Sequence, residues 1–149
     1  MLQVTSIVDY MNLRICLLCY IRPGDLFVDV GANVGTYTIL ASGHVEAFTI
    51  SVDPIPATFK RLTRNIALNA LENLVMPVQK GVGSSQGHLR FITGFDTVNH
   101  VVADSEDLQD TIEIPIETLD SILEDKNPIL LKIDVEGFES EVIKGGMKT

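Results

Sequence analysis

The chain has 149 residues, a formal net charge of −9 and a sequence pI near 4.6. This length fits one domain, residues 1–149, with room for a hydrophobic core. Phosphate contacts need clustered Lys and Arg, so the acidic balance argues against binding to nucleic acid or to an anionic membrane surface and favours a small-molecule partner. No apolar run approaches the roughly 20 residues that span a bilayer, and the first residues lack the basic start of a signal peptide. We therefore expect a soluble cytoplasmic protein.

The N-terminal segment, residues 1–22, is predicted to be helical. Apolar residues recur every three or four positions over residues 2–20, which is typical of an amphipathic helix. Cys16 and Cys19 form a C-x-x-C pair, but they lie in an apolar context without a second Cys/His pair. We interpret them as small buried side chains and predict no metal site.

Residues 26–41, LFVDVGANVGTYTILA, predict a buried strand, a ligand-binding turn and a helix. The turn matches the G-x-G-x-x-G dinucleotide pattern poorly, because Asn33 holds the middle glycine position. Asp29 at the strand end would repel a pyrophosphate, which disfavours a nicotinamide-dependent oxidoreductase, but it would attract the ammonium group and sulfonium of S-adenosylmethionine. Asn33 and the backbone amides are then available to the carboxylate of the cofactor. The predicted cofactor contacts here are Asp29, Gly31, Asn33, Gly35 and Thr36.

A second acid follows the next predicted strand, residues 49–52. Asp53 stands at the end of this strand, where a carboxylate can accept both hydroxyls of a ribose. The alternative is that Asp29 and Asp53 are both solvated acids at strand ends. After a helix opened by residues 54–56, a third strand is predicted over residues 74–78, and Val82 in the loop beyond it is predicted to border the adenine.

The second half of the chain predicts a hairpin and a fourth core strand. Residues 87–93 and Thr111–Glu117 alternate in hydrophobicity and are expected to pair antiparallel. Residues 129–133 form the fourth buried strand, which ends before Asp134 and Glu136. Acids in this position lie where doubly wound sheets place their chemistry, and Asp134 and Glu136 are therefore the candidate catalytic bases. The alternative is that Asp134 caps the next helix and Glu136 lies in its first turn.

Three separated segments, FVDVGANVGTYTILA, SVDPIPATFKRLTRNIALN and LLKIDVEGFESEVIKGG, resemble the FkbM family of S-adenosylmethionine-dependent methyltransferases. TIEIPIETLDSIL resembles the segment that precedes the last of them. The resemblance covers residues 26–146 and implies a doubly wound, Rossmann-like class I α/β fold. It also implies methylation of hydroxyl groups on sugars, polyketides and related small molecules. Cofactor contacts are implied for Asp29, Gly31, Asn33, Gly35 and Asp53.

The chain departs from this family in two ways. Family members typically have Glu at the position of Asp53, so the reach of the carboxylate to a ribose is expected to be shorter here. The sequence also predicts only four core strands and a hairpin insertion, without the closing C-terminal strands of a full class I sheet. We expect either a fragment or a sheet completed by another chain, including a homo-oligomer through the open sheet edge. The chain would then be either a methyltransferase or a non-catalytic S-adenosylmethionine-binding module.

Overall fold

The structure, a computed structural model, describes residues 17–92 and 111–148. Its strands are β1 (Leu26–Val30), β2 (Phe48–Val52), β3 (Val75–Val78), β4 (Gly81–Val82), β5 (Gly87–Ile92), β6 (Thr111–Glu117) and β7 (Leu130–Ile133). Its helices are α1 (Thr36–Val45), α2 (Pro56–Leu68), α3 (Leu119–Leu123) and α4 (Glu139–Lys144).

The main sheet is parallel, with the strand order β3-β2-β1-β7. Val28 of β1 aligns with Ile50 of β2 on one side and with Leu131 of β7 on the other. The chain runs from β1 to β2 on one side of β1 and later returns to place β7 on its other side. The carboxyl ends of β1, β2 and β7 therefore meet at a switch point, the usual place for a ligand in such sheets.

A second sheet has the order β4-β6-β5. The predicted hairpin is confirmed, since β5 and β6 pair antiparallel with Leu89 opposite Ile114. The interpretation of residues 81–83 as a loop is wrong for the first two of these residues. Gly81 and Val82 pair parallel with Ile116 and Glu117, because the missing Cβ of Gly81 leaves room for the Ile116 side chain.

Helices cover both faces of the main sheet. On one face Phe27 packs in a cluster with Leu17, Ile21, Tyr37, Ala41 and Ala47. On the other face Val28, Val30, Ile50 and Val52 pack with Val82, Leu119, Ile122, Leu123 and Val142. Alternate strand residues point to opposite faces, so two separate apolar layers result. The predicted doubly wound, Rossmann-like α/β class is confirmed.

The contact between α1 and β2 is polar. Thr38 Oγ1 lies 2.7 Å from Ser51 Oγ, and Ser42 Oγ lies 2.8 Å from Thr49 Oγ1. All four residues are buried, and each hydroxyl finds its partner across this interface. These pairs explain why β2 carries the hydroxyl residues Thr49 and Ser51 among its apolar residues.

Part of the predicted N-terminal helix falls within the described residues. Residues 17–20 are helical, and the rest of that prediction lies at residues 1–16, outside the described part. Cys19 is exposed, so its predicted burial is wrong.

None of the described helices is long and apolar enough to cross a membrane. Within the described strands β7 lies at one edge of the main sheet, and pairing of that edge with another chain stays a prediction.

The loop after β1 crosses the end of β7 at close range. Gly31 has φ +74°, and a Cβ on it would overlap the carbonyl oxygen of Asp134. The N–H of Asp134 donates to the carbonyl of Val30 at 3.0 Å, which holds the two chain segments together. Glycine is therefore required at position 31 by backbone conformation and by packing.

We expect Gly31→Ala to destabilise the fold more than Gly24→Ala. Gly24 also has a positive φ of 83°, but a Cβ there would meet nothing within 4 Å. Gly24→Ala should cost about 1–2 kcal/mol from backbone strain alone, and Gly31→Ala should cost roughly a further 1–3 kcal/mol from overlap. Urea denaturation of both variants measures the difference. Equal losses would show that the crossing does not constrain position 31.

Candidate functional site

A cleft of about 330 Å³ opens at the carboxyl ends of β1, β2 and β7. Leu89 and Ile116 of the second sheet and Phe138 contribute apolar surface to it. The cleft is lined by six of the residues that the sequence predicted as site residues: Gly31, Asn33, Asp53, Val82, Asp134 and Glu136. A largely apolar cavity with a few convergent polar groups is typical of a small-molecule site.

Asp53 lies just beyond β2 and is only 6% exposed. Its Oδ2 accepts a hydrogen bond from the N–H of Asn33 at 2.9 Å, and its Oδ1 accepts one from the N–H of Ile55 at 3.0 Å and one from the hydroxyl of Thr58. Burial raises the pKa of the Asp53 carboxyl, an effect that these three hydrogen bonds oppose and the charge of Asp29 adds to. Asp53 thus joins the loop after β1 to the start of α2.

The N–H groups of the loop are largely used within the protein. Those of Gly31 and Ala32 both donate to the carbonyl of Val52 at 3.0 Å, and that of Gly35 donates to Ala32 at 2.9 Å. Since the N–H of Asn33 binds Asp53, four loop amides already have protein partners. The expectation that the loop offers its backbone amides to a ligand is not met for these four.

Asp29 is fully buried and does not line the cleft. Its Oδ1 lies 3.0 Å from Nζ of Lys132, and its Oδ2 accepts a hydrogen bond from the hydroxyl of Thr38 at 2.9 Å. Asp29 aligns with Lys132 on β7 and with Ser51 on β2. The reading of Asp29 as a solvated acid at a strand end is therefore wrong, because Val30 extends β1 and encloses Asp29 in the strand ladder.

Gly35 and Thr36 also lie outside the cleft. Gly35 is buried with φ +90°, and a Cβ there would lie 2.6 Å from Cδ1 of Leu62 on α2. Thr36 is exposed and borders a separate shallow depression with His44 and Asn69. The absence of a Cβ on Gly35 therefore allows the loop after β1 to pack closely against α2.

Asp134 and Glu136 line the cleft directly after β7, and both are exposed. The alternative that Asp134 caps the next helix and Glu136 lies in its first turn is wrong. Helix α4 begins at Glu139 with Phe138 as its N-cap and has no side-chain cap, so both acids lie before it. Instead, Oε1 of Glu139 accepts a hydrogen bond from the N–H of Gly137 at 3.1 Å.

Two non-glycine residues of the cleft have left-handed backbones, Asn33 with φ 50° and Glu136 with φ 48°. Among the other such residues in the described ranges, Glu46 and Glu124 are helix C-caps and Ala70 follows α2. This conformation is costly for Glu and is often found at functional sites. The turn therefore holds the Glu136 side chain at the cleft against a local backbone preference.

Sequence reasoning missed Lys132, Thr58 and Lys80. Lys132 is 8% exposed between the apolar residues of β7, and a charged residue within LLKI was the available signal. Thr58 and Lys80 line the cleft, and Nζ of Lys80 lies 2.9 Å from Oε1 of Glu117. The hydrogen bond from Lys80 lowers the pKa of Glu117. Residues 17–92 and 111–148 contain no group of His, Cys, Asp and Glu that could hold a metal ion.

A family model described as the methyltransferase FkbM domain matches residues 29–149. The chain belongs to the FkbM methyltransferase family. The match begins at Asp29 and includes all the residues named above as lining the cleft. The family resemblance predicted from sequence is therefore confirmed.

Three longer methyltransferases are similar to this chain. Hexuronic acid methyltransferase AglP of Haloferax volcanii is 34% identical over 81% of this chain and 49% of that protein. Methyltransferase 1 of Beauveria bassiana is 27% identical over 83% of this chain and 59% of that protein. Methyltransferase sdnD of Sordaria araneosa is 28% identical over 79% of this chain and 59% of that protein. The chain thus spans about half to three fifths of the length of these relatives.

We expect Asp53 to make the stability of this FkbM domain depend on pH. Its raised pKa means that the folded state binds the proton more tightly than the unfolded state, so Asp53 favours folding more as pH falls towards the ordinary aspartate value of 3.8. The free energy of unfolding of the wild type relative to Asp53→Asn should increase between about pH 7 and about pH 4. Urea denaturation across this range measures it. A constant difference would contradict the effect of burial on Asp53.

Proposed function

We propose that this chain binds S-adenosylmethionine in the cleft and methylates a hydroxyl group of a sugar or another small molecule. The observation that carries the proposal is that the buried acid Asp53, which we propose as the ribose ligand, lines the same cleft as the acids Asp134 and Glu136. Membership of the FkbM family supports the same cofactor and reaction class.

The hydrogen-bonding capacity of Asp53 fits a ribose. A carboxylate has about four acceptor positions, and three are used by Asn33, Ile55 and Thr58. One position is left for a ribose hydroxyl, so Asp53 is proposed to accept one of the two hydroxyls expected from the sequence. Val82 and Phe138 would supply apolar surface to the adenine.

The remaining predicted contacts divide into two groups. Asn33 lines the cleft and is exposed, so its side chain is available to the amino-acid end of the cofactor. Asp29, Gly31, Gly35 and Thr36 are proposed to act on the cofactor through the loop and the first turn of α1. Asp29 would act by its charge from beneath the loop, since its side chain is buried.

Bound S-adenosylmethionine would supply an electrophilic methyl group on a sulfonium. The task of the protein is to orient the acceptor hydroxyl and to remove its proton, because a sugar hydroxyl is a weak nucleophile. Asp134 and Glu136 are the candidate bases, since both are exposed in the cleft and neither caps α4. The strained backbone of Glu136 favours it over Asp134.

The charges of the cleft favour an uncharged acceptor. Asp53, Asp134 and Glu136 line it together with one ammonium, Lys80, which is paired with Glu117. An anionic acceptor would be repelled by the three carboxylates. AglP is named for a hexuronic acid. We propose that the acceptor of this chain is also a sugar, but one that does not carry the charge of a uronate.

The first test is calorimetric titration of S-adenosylmethionine into the folded wild-type chain. Asp53→Ala is expected to weaken binding about 10- to 100-fold, because it removes a charged hydrogen-bond acceptor. Asp125→Ala, which removes an exposed carboxylate away from the cleft, is the control and should bind as the wild type does. A folded wild type that does not bind would contradict the proposal.

The second test measures methyl transfer from labelled S-adenosylmethionine to a methyl glucoside and to the matching methyl glucuronide. Glu136→Gln is expected to reduce turnover of the glucoside about 10²–10⁴-fold with cofactor affinity unchanged, because the base is lost. Glu46→Gln is the matched control, since Glu46 is also an exposed Glu with a left-handed backbone but lies outside the cleft.

The same assay separates the remaining alternatives. Unchanged turnover in Glu136→Gln, with loss in Asp134→Asn, would assign the base to Asp134. Faster transfer to the glucuronide would contradict the preference for an uncharged acceptor. Cofactor binding without transfer to any acceptor would favour the second candidate, a non-catalytic binding module completed by another chain.

A further inference from the structure

Lys132 is a buried ammonium directly beneath the cleft. Its Nζ donates a hydrogen bond to the carbonyl of Gly31 at 3.2 Å and lies 3.0 Å from Oδ1 of Asp29 and 3.7 Å from Oδ2 of Asp134. It also lies 5.3 Å from the centre of the Tyr37 ring. One side chain therefore contacts the strand, the loop and the turn that form the site.

The neutralisation of the Asp29 charge does not by itself explain why a lysine is buried at position 132. A buried ion pair can often be replaced by apolar residues of similar volume without loss of stability. The Asp29–Lys132 contact also lacks the alignment of a hydrogen bond, whereas the contact with the Gly31 carbonyl has it. The directional interaction of the ammonium is therefore with the cofactor loop.

Two of the residues that the Lys132 ammonium contacts, Gly31 and Asp134, belong to the cleft. Gly31 and Asp134 are among the described residues that line it, and Lys132 and Asp29 are not. Glycine has few conformational limits, and the Asp134 side chain is 52% exposed. Without the ammonium, the Gly31 peptide and the Asp134 carboxylate would each have more orientations open to them.

We propose that Lys132 is a positioning residue that fixes the Gly31 carbonyl and the Asp134 carboxylate in one arrangement from beneath the cleft. The inference rests on the proposed function, since it assigns this arrangement to cofactor binding. The hydrogen bond sets the path of the loop after β1, and the ion pair draws Asp134 towards the same point. Lys132 itself contacts neither cofactor nor acceptor.

The test compares cofactor affinity with fold stability in four variants. Lys132→Met removes the ammonium but leaves Asp29 buried without a counter-charge, so it can fail to fold. The double variant Asp29→Leu/Lys132→Met removes both charges and keeps an apolar pair in the core. Asp29→Asn keeps the ammonium and removes only the carboxylate charge. Ser42→Ala removes a buried hydroxyl that lies 2.8 Å from Thr49 Oγ1, beyond the first turn of α1, and leaves Lys132 unchanged.

Each folded variant is measured by thermal denaturation and by calorimetric titration with S-adenosylmethionine. We expect the double variant to bind at least about tenfold more weakly than Asp29→Asn although it is more stable, because a loop displaced by a fraction of an ångström loses its alignment with the cofactor. Ser42→Ala should lose stability and keep wild-type affinity. Affinity would then follow the ammonium and not the stability.

Three results are distinguishable. Equal affinities in the double variant and Asp29→Asn would overturn the inference and leave Lys132 as a counter-ion of Asp29. Affinity that falls in proportion to stability across all variants, Ser42→Ala included, would also overturn it. A folded wild type that does not bind S-adenosylmethionine would instead overturn the proposed function, and the positioning role with it.

Discussion

The close crossing of the β1 loop over the end of β7 is the constraint on which the rest of the site depends. The absent side chain of Gly31 allows the loop to lie against the carbonyl of Asp134, and the β1–β7 ladder continues into it through the hydrogen bond from Asp134 to Val30. This crossing brings together two segments into one continuous surface. They are the loop predicted to hold the cofactor and the turn that carries the candidate bases. A rigid surface of this kind is what a reaction governed by orientation requires.

The Asp53 carboxylate contributes both to the stability of the fold and to the candidate site. Its three protein donors come from the loop, the segment after β2 and the first turn of α2, so the carboxylate connects three parts of the chain. Burial makes its charge costly, and the hydrogen bonds offset that cost. An acid held so firmly can approach a ligand without reorganising, but it has less capacity left for the ligand than a free carboxylate has.

The fold was predictable from sequence to a greater extent than the site. Apolar runs and their bounding glycines and prolines gave the parallel strands and the hairpin because burial on both faces leaves a direct record in the sequence. The two acids Asp29 and Asp53 looked equivalent, yet they differ because β1 continues one residue beyond Asp29 while β2 ends before Asp53. Strand boundaries of one residue cannot be read from hydrophobicity. Lys132 was missed for a related reason, since its partners Asp29 and Gly31 are about a hundred residues away in sequence.

The backbone of the cleft supports a functional interpretation independently of its charges. Left-handed residues in the described chain otherwise occur at glycines and after helix ends, where the turn requires them. Asn33 and Glu136 are the two in the cleft, and they lie on the two segments that cross at Gly31. Asn adopts this conformation with little strain, whereas Glu does not. A fold that keeps Glu136 there retains a local cost that packing alone does not explain, and the position of its carboxylate in the cleft supplies a reason.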